Sequence, residues 1–100
     1  MGYLGEKLSA RFLEDHGLRI LASNVVVDGG EIDLLADDGG TRVAVEVRTT
    51  TGHHDDPIDA VGVSKRMQVQ KLARSVRAER VDYVGVRLGT THVDFHWVQA

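Results

Sequence analysis

The stretch Gly30-Glu31-Ile32-Asp33-Leu34-Leu35-Ala36, then Asp37-Asp38-Gly39-Gly40, then Thr41-Arg42-Val43-Ala44-Val45-Glu46-Val47-Arg48-Thr49, decides the fold. Two strand-like runs this close, joined by Asp and Gly, form a β-hairpin with strands at Glu31 to Ala36 and Thr41 to Thr49. Side chains alternate along a strand, so Glu31, Asp33 and Leu35 share one face and Ile32 and Leu34 the other. In the second strand Ala44, Glu46 and Arg48 share a face, and Val43, Val45 and Val47 the opposite one. With Asp37 to Gly40 as a four-residue loop, Ala36 faces Thr41, and Asp33 and Glu46 are diagonal neighbours roughly 7–8 Å apart at the backbone. A register shift of two residues places them directly opposite each other. Either way three carboxylates and one guanidinium crowd a surface whose reverse side is Val and Ile. Like charges this close raise carboxylate pKa values unless a cation neutralises them. The pattern asks for a divalent metal or for an ion pair with Arg48.

Upstream, Leu4, Leu8, Phe12 and Leu13 recur at helical spacing, and Gly17 is placed as the residue after a helix end, which predicts a helix over 4–16. Leu18 to Val27 reads as a strand closed by Asp28-Gly29-Gly30. Downstream, Thr49 to Pro57 is an exposed loop without an apolar residue. Val61, Val69, Leu72, Ala73 and Val76 mark one side of a second helix from Ile58 or Ser64 to Glu79. Val81 to Leu88 alternates into a strand, Gly89-Thr90 turns, and a last strand sets Val93, Phe95 and Trp97 against His92, Asp94 and His96. The order is α-β-β-β-α-β-β. The long connection through the second helix makes the third and fourth strands parallel, while the hairpins are antiparallel. The expected class is α/β, a mixed sheet with flanking helices.

At 100 residues the chain is expected to be a single domain spanning 1–100. With no cysteine, thiolate-ligated metals are excluded and a hard cation held by carboxylates fits best. No apolar stretch approaches the roughly 20 residues that cross a bilayer, and the amino terminus lacks a signal-peptide layout, so no membrane is expected and the cytoplasm is the default location. The formal net charge is −3, mildly adverse to nonspecific nucleic-acid binding. Its distribution is lopsided. Lys65, Arg66, Lys71, Arg74, Arg77 and Arg80 face a single acid, Glu79, along one segment, while residues 28 to 59 hold most of the acids. Lys65, Arg66, Lys71 and Arg74, off the apolar stripe of the second helix, are candidates for phosphate contacts; a solvated charged face explains them equally well.

Gly30-Glu31-Ile32-Asp33-Leu34-Leu35 followed by Val45-Glu46-Val47-Arg48-Thr49 resembles the GEIDLIA and VEVKTR motifs of the YraN-like family of small uncharacterised bacterial proteins. Leu4-Gly5-Glu6 with Ala10, Gly17 to Ala22 with Asn24, Ala60-Val61 with Lys65, and Val81 to Val86 are similar to that family's other elements, so the resemblance covers nearly the whole chain. That family in turn resembles the restriction-endonuclease-like superfamily of PD-(D/E)xK nucleases. The resemblance implies a restriction-endonuclease-like core in which Asp33 and Glu46 hold Mg²⁺ or Mn²⁺, the Val47 carbonyl is a third ligand, and Arg48 occupies the lysine position. Glu6 corresponds to a helical acid that some such nucleases add. Hydrolysis of a phosphodiester needs an activated water and neutralisation of transition-state charge, and one or two hard cations supply both.

Two departures stand out. Arg48 replaces lysine; it cannot lose its proton but forks across two oxygens, so it serves where a cation is needed and fails where a neutral amine is needed. Val25-Val26-Val27-Asp28 replaces aromatic and basic residues of the family. Three readings follow: a metal-dependent nuclease acting on DNA or RNA, a catalytically weakened nucleic-acid-binding module, and a structural protein, as a homodimer joined through an edge strand or the Phe95/Trp97 face. His53-His54-Asp55-Asp56 and the His92, Asp94, His96 alternation are weaker ligand candidates, read as an exposed loop and the polar side of an edge strand.

Overall fold

The computed structural model describes residues 2–52, 58 and 61–99. Its elements are α1 (Gly2–Asp15), β1 (Arg19–Val27), β2 (Gly30–Asp38), β3 (Thr41–Thr51), α2 (Val63–Ser75), β4 (Arg80–Leu88) and β5 (Val93–Gln99). This is the expected order, that of the restriction-endonuclease-like core. The strands form one sheet in the order β1-β2-β3-β4-β5, with β3 and β4 parallel and the other neighbours antiparallel.

The central hairpin closes more tightly than the expected four-residue loop. Gly39 and Gly40 both take positive φ, 59° and 100°, as a two-residue turn of the hairpin-compatible hand requires. Asp38 therefore pairs with Thr41 and Leu34 with Val45. This is the register shifted by two residues, and it brings Asp33 level with Glu46 rather than diagonal to it. A second turn of the same kind, Asp28 and Gly29 at φ 45° and 78°, joins β1 to β2.

Both faces of the sheet are covered. Leu13 and Leu18 pack with Leu34, Val43, Val45, Val84 and Val86 under α1. On the other face Val69, Leu72 and Ala73 of α2 pack on Ile32, Ala44, Val81 and Tyr83. β3 keeps the expected alternation, so Glu46 follows Ala44 onto the α2 side. β2 does not: Ile32 joins the cluster under α2, while Leu34 and Ala36 join the one under α1. The expectation that Ile32 and Leu34 share a face is corrected here. The strand rotates between them, at Asp33.

α1 ends as its glycine predicts. Gly17 takes φ 94°, its N–H donates to the Glu14 carbonyl, and the Leu18 N–H reaches back to Leu13, closing the orphan carbonyls of the last turn. α1 lies close on β3, and a Cβ on Gly5 would collide with Thr49 Oγ1.

α2 starts at Val63 and stops at Ser75, short of the expected Glu79, although no glycine marks the end. Arg77 takes the glycine's place at φ 59°, with Arg77 N–H donating to Arg74 and Ala78 N–H to Ala73. A left-handed conformation costs a side-chain-bearing residue roughly 1–2 kcal/mol. Arg77→Gly is therefore expected to raise the unfolding free energy by about 1 kcal/mol in urea titration, less a few tenths for the added freedom of the unfolded chain.

Phe95 and Trp97 belong to the core under α1. Phe95 stacks on Phe12 at 4.4 Å between centroids, and Trp97 meets Phe12 edge-on at 6.1 Å. Asp94 and His96 are exposed on the opposite, polar side of β5. His53-His54-Asp55-Asp56 lies outside the described residues. Among the described residues no helix is long and apolar enough to cross a membrane.

Candidate functional site

The β2–β3 ladder runs from Asp38 and Thr41 to Leu34 and Val45. One residue further on, a side chain replaces the backbone partner: Asp33 Oδ2 accepts the Val47 N–H at 2.8 Å. The peptide of Val47 and the Asp33 carboxylate are thereby locked together, with Glu46 between Val45 and Val47 brought against Asp33.

Glu46 is 4% exposed, an unusual setting for a carboxylate. Burial pushes its carboxyl up to about 7; Asp33 adds to this by its charge and by hydrogen bonding the protonated form, against the opposing pull of Lys65 and Arg48. Those two cations meet one oxygen. Arg48 Nη2 lies 3.3 Å and Lys65 Nζ 3.7 Å from Glu46 Oε2. Even with both, burial and Asp33 outweigh them, so Glu46 releases its proton only near neutrality, and a further cation would favour its ionised form. Arg48 Nε is buried without a hydrogen-bond partner among the described residues.

Glu6, on α1, stands on the Asp33 side of the site. Its carboxyl is raised by burial, lowered by a hydrogen bond from Asn24, and raised again by the charges of Asp33 and Glu31. Among the described residues no three His, Asp or Glu side chains converge as a ready-made metal cage. The chain therefore offers the Asp33–Glu46 pair with Glu6 nearby, which suits a hard cation that keeps several water ligands.

The basic residues of α2 separate into different roles. Lys65 turns in toward Glu46. Arg66 donates from Nε to the Val61 carbonyl at 3.1 Å and lies over the Tyr83 ring at 5.0 Å. Lys71 and Arg74 are exposed, and Arg74 helps line a shallow groove of about 300 Å³ with Val63, Arg66, Met67 and Gln70. Sequence reasoning placed these residues on one charged face; the structure divides them between the acidic pair, the Tyr83 ring and solvent.

Two residues of the site went unassigned from sequence. Tyr83 is the β4 partner of Glu46 in the parallel ladder, and burial raises its hydroxyl, opposed by Arg66 and assisted by the Glu46 charge. Only the parallel register reveals that neighbour. Asn24, which donates from Nδ2 to Glu6 Oε1 at 2.5 Å, sits in a strand at φ 53°. An asparagine interrupting a Val/Ile/Leu-rich run was the available signal.

The chain is similar in sequence to several proteins. UPF0102 protein STH1475 of Symbiobacterium thermophilum is 45% identical over 73% of this chain and 63% of its own length. A UPF0102 protein of Geobacter metallireducens is 46% identical over 73% and 61%. The chain thus spans about three fifths of the length of these relatives. A UPF0102 protein of Chromohalobacter salexigens is 34% identical over 95% of this chain and 84% of its own. The solved structure of SSO0001 is similar at a TM-score of 0.43 and 15% identity, over 93% of this chain and 50% of that one. Residues 5–86, which contain Glu6, the Asp33–Glu46 pair, Arg48 and Lys65, match the model of one family, and the chain belongs to that family, Uncharacterised protein family UPF0102.

Proposed function

We propose that this chain is a divalent-metal-dependent nuclease domain that hydrolyses phosphodiester bonds in DNA or RNA. One observation carries the reading: two carboxylates, Asp33 and Glu46, are pressed together at the end of the hairpin ladder while two cations from different elements, Arg48 and Lys65, face the same Glu46 oxygen. Asp33 and Glu46 would hold Mg²⁺ or Mn²⁺, with the Val47 carbonyl as a third ligand. When bound, the cation supplies charge neutralisation at the phosphate and a water of lowered pKa.

The chain's own residues do the rest. Asp33 is fixed by the Val47 N–H and so does not need to reorganise. Arg48 stays charged throughout and is suited to orient the phosphate oxygens that its guanidinium fork matches. Lys65 brings a compact ammonium from the first turn of α2 to the same place, so the site contains a lysine although the strand motif does not. Arg66, beside it, extends the positive edge toward the incoming backbone. A net charge of −3 makes this local edge, rather than the whole molecule, the means of attracting a polyanion.

The test is incubation with single-stranded, duplex and branched DNA and RNA in Mg²⁺ or Mn²⁺, alongside Asp33→Ala and Glu46→Ala. The expected result is metal-dependent cleavage that falls by at least about 10²-fold in either variant, the scale of losing one preorganised electrostatic group. Cleavage that survives both substitutions would remove these residues from the site. A second reading, a nucleic-acid-binding module of the same fold with weakened catalysis, is favoured by Arg48 standing where the motif has lysine and lying against Glu46. Salt-sensitive binding without cleavage in any metal is its signature.

A further inference from the structure

We propose that Asn24 is the positioning residue of the acidic site: its left-handed backbone turns β2 at Asp33, and its side-chain amide holds Glu6 of α1 beside that carboxylate. The inference rests on reading the acidic pair as a cation site and adds the device that brings a third acid to it.

Ser23 pairs with Leu34 and Val25 with Ile32, so Asn24 stands level with Asp33 in the antiparallel ladder, yet that pair itself is missing. The cause is on β1. Asn24 takes φ 53° in mid-strand, a region that asparagine enters more readily than other side-chain-bearing residues but that still costs of order 1 kcal/mol. The interruption coincides with the place where β2 leaves strict alternation, Ile32 facing the α2 core and Leu34 the α1 core. Asp33 lies at that rotation point and its carboxylate is turned to the Val47 N–H.

The amide of the same residue crosses to α1, donating to Glu6 Oε1 at 2.5 Å. Glu6 otherwise faces the charges of Asp33 and Glu31, which would drive its carboxylate outward. A neutral donor holds it in place without consuming the site's negative charge. Glycine would satisfy the backbone but not Glu6, and a β-branched residue would suit the strand but not the kink. Asparagine satisfies both.

The experiment compares wild type, Asn24→Gly, Glu6→Ala and the double variant by Mn²⁺ titration calorimetry and thermal melting, with NMR of the Asn24 side-chain amide in the metal-free protein. Asn24→Gly accepts the left-handed backbone and deletes only the amide. Expected are an unchanged or raised Tm, Mn²⁺ binding weakened about tenfold, the usual scale for removing a group that orients a ligand, and a double variant no weaker than Glu6→Ala alone. The Asn24 amide signal should move upfield in Glu6→Ala. An unmoved signal, wild-type Mn²⁺ affinity in Asn24→Gly, or additive losses in the double variant would overturn the proposal. Wild type that binds no Mn²⁺ would instead overturn the cation-site reading, and this inference with it.

Discussion

Glu46→Gln is expected to stabilise the metal-free protein at about pH 8 by on the order of 3 kcal/mol, and to abolish cation-dependent activity in the same step. The sign follows from linkage. The folded-state pKa of Glu46, about 7, lies above the ordinary value of 4.5, so the folded chain holds a proton that the unfolded chain has already released. Below about pH 4.5 both states are protonated and there is no penalty. Between there and about 7 the stability falls as pH rises, and above 7 the full cost remains. Glutamine cannot ionise, so the variant's stability should stay flat through this window where wild type declines. If the proposed cation site holds, Mn²⁺ or Mg²⁺ should restore wild type at high pH by binding the ionised carboxylate, and should leave the variant unchanged. Thermal melts of both proteins at pH 5, 6, 7 and 8, with and without metal, are the measurement. Parallel curves for the two proteins would show that Glu46 ionises without strain and needs no cation.

The largest loss of stability is expected on the other side of the sheet. Asp82 is fully buried, and both its oxygens are used: Arg80 donates from Nε at 2.8 Å and from Nη2 at 2.9 Å, and Trp97 Nε1 donates at 3.0 Å. Arg80 also reaches Asp38 at 2.8 Å, so the network ties β2, β4 and β5 together under a low dielectric. Asp82→Ala leaves the Trp97 N–H without an acceptor and Arg80 with a single partner, and is expected to cost about 3–5 kcal/mol, as when one member of a buried pair is deleted. Asp82→Asn keeps an acceptor for Trp97 and should lose less. Denaturant titration gives both values, and the Trp97 emission reports whether the indole has left its partner. Losses below about 1 kcal/mol for Asp82→Ala would place the network among solvent-screened ion pairs.

Much of the architecture was legible because local chemistry and global fold agree. The Gly17 cap, the Asp28-Gly29 turn and the alternation of β3 each state their conformation in one or two residues. Sequence is least informative where a side-chain-bearing residue takes a conformation normally given to glycine. Arg77 ends α2 four residues early, and Asn24 kinks a strand that its valines make look continuous. Arginine does not announce a positive φ and asparagine only tolerates it more readily than most; the surrounding packing imposes it.

The candidate site divides in the same way. Asp33, Glu46 and Arg48 were readable together because one hairpin carries all three, and strand period alone relates them. The hairpin also contained its own ambiguity, since a turn of two or four residues moves Asp33 by two residues along β3, from Ala44 to Glu46. Lys65, Tyr83 and Asn24 were not readable as neighbours of these carboxylates. They arrive through the parallel crossover and the packing of α2 on the sheet, contacts between residues that the chain separates by many positions.

What the sequence alone determined about this protein is the acidic hairpin, with two carboxylates and an arginine on strands short enough to relate by counting. The tertiary structure decided which cations answer them, and by what kink Asp33 and Glu6 are aimed. It also raised Glu46 to a carboxyl that titrates near neutrality. The reason is physical: alternation is set residue by residue along the backbone, whereas burial, and the charge it traps, exists only once separate elements close over the same few atoms.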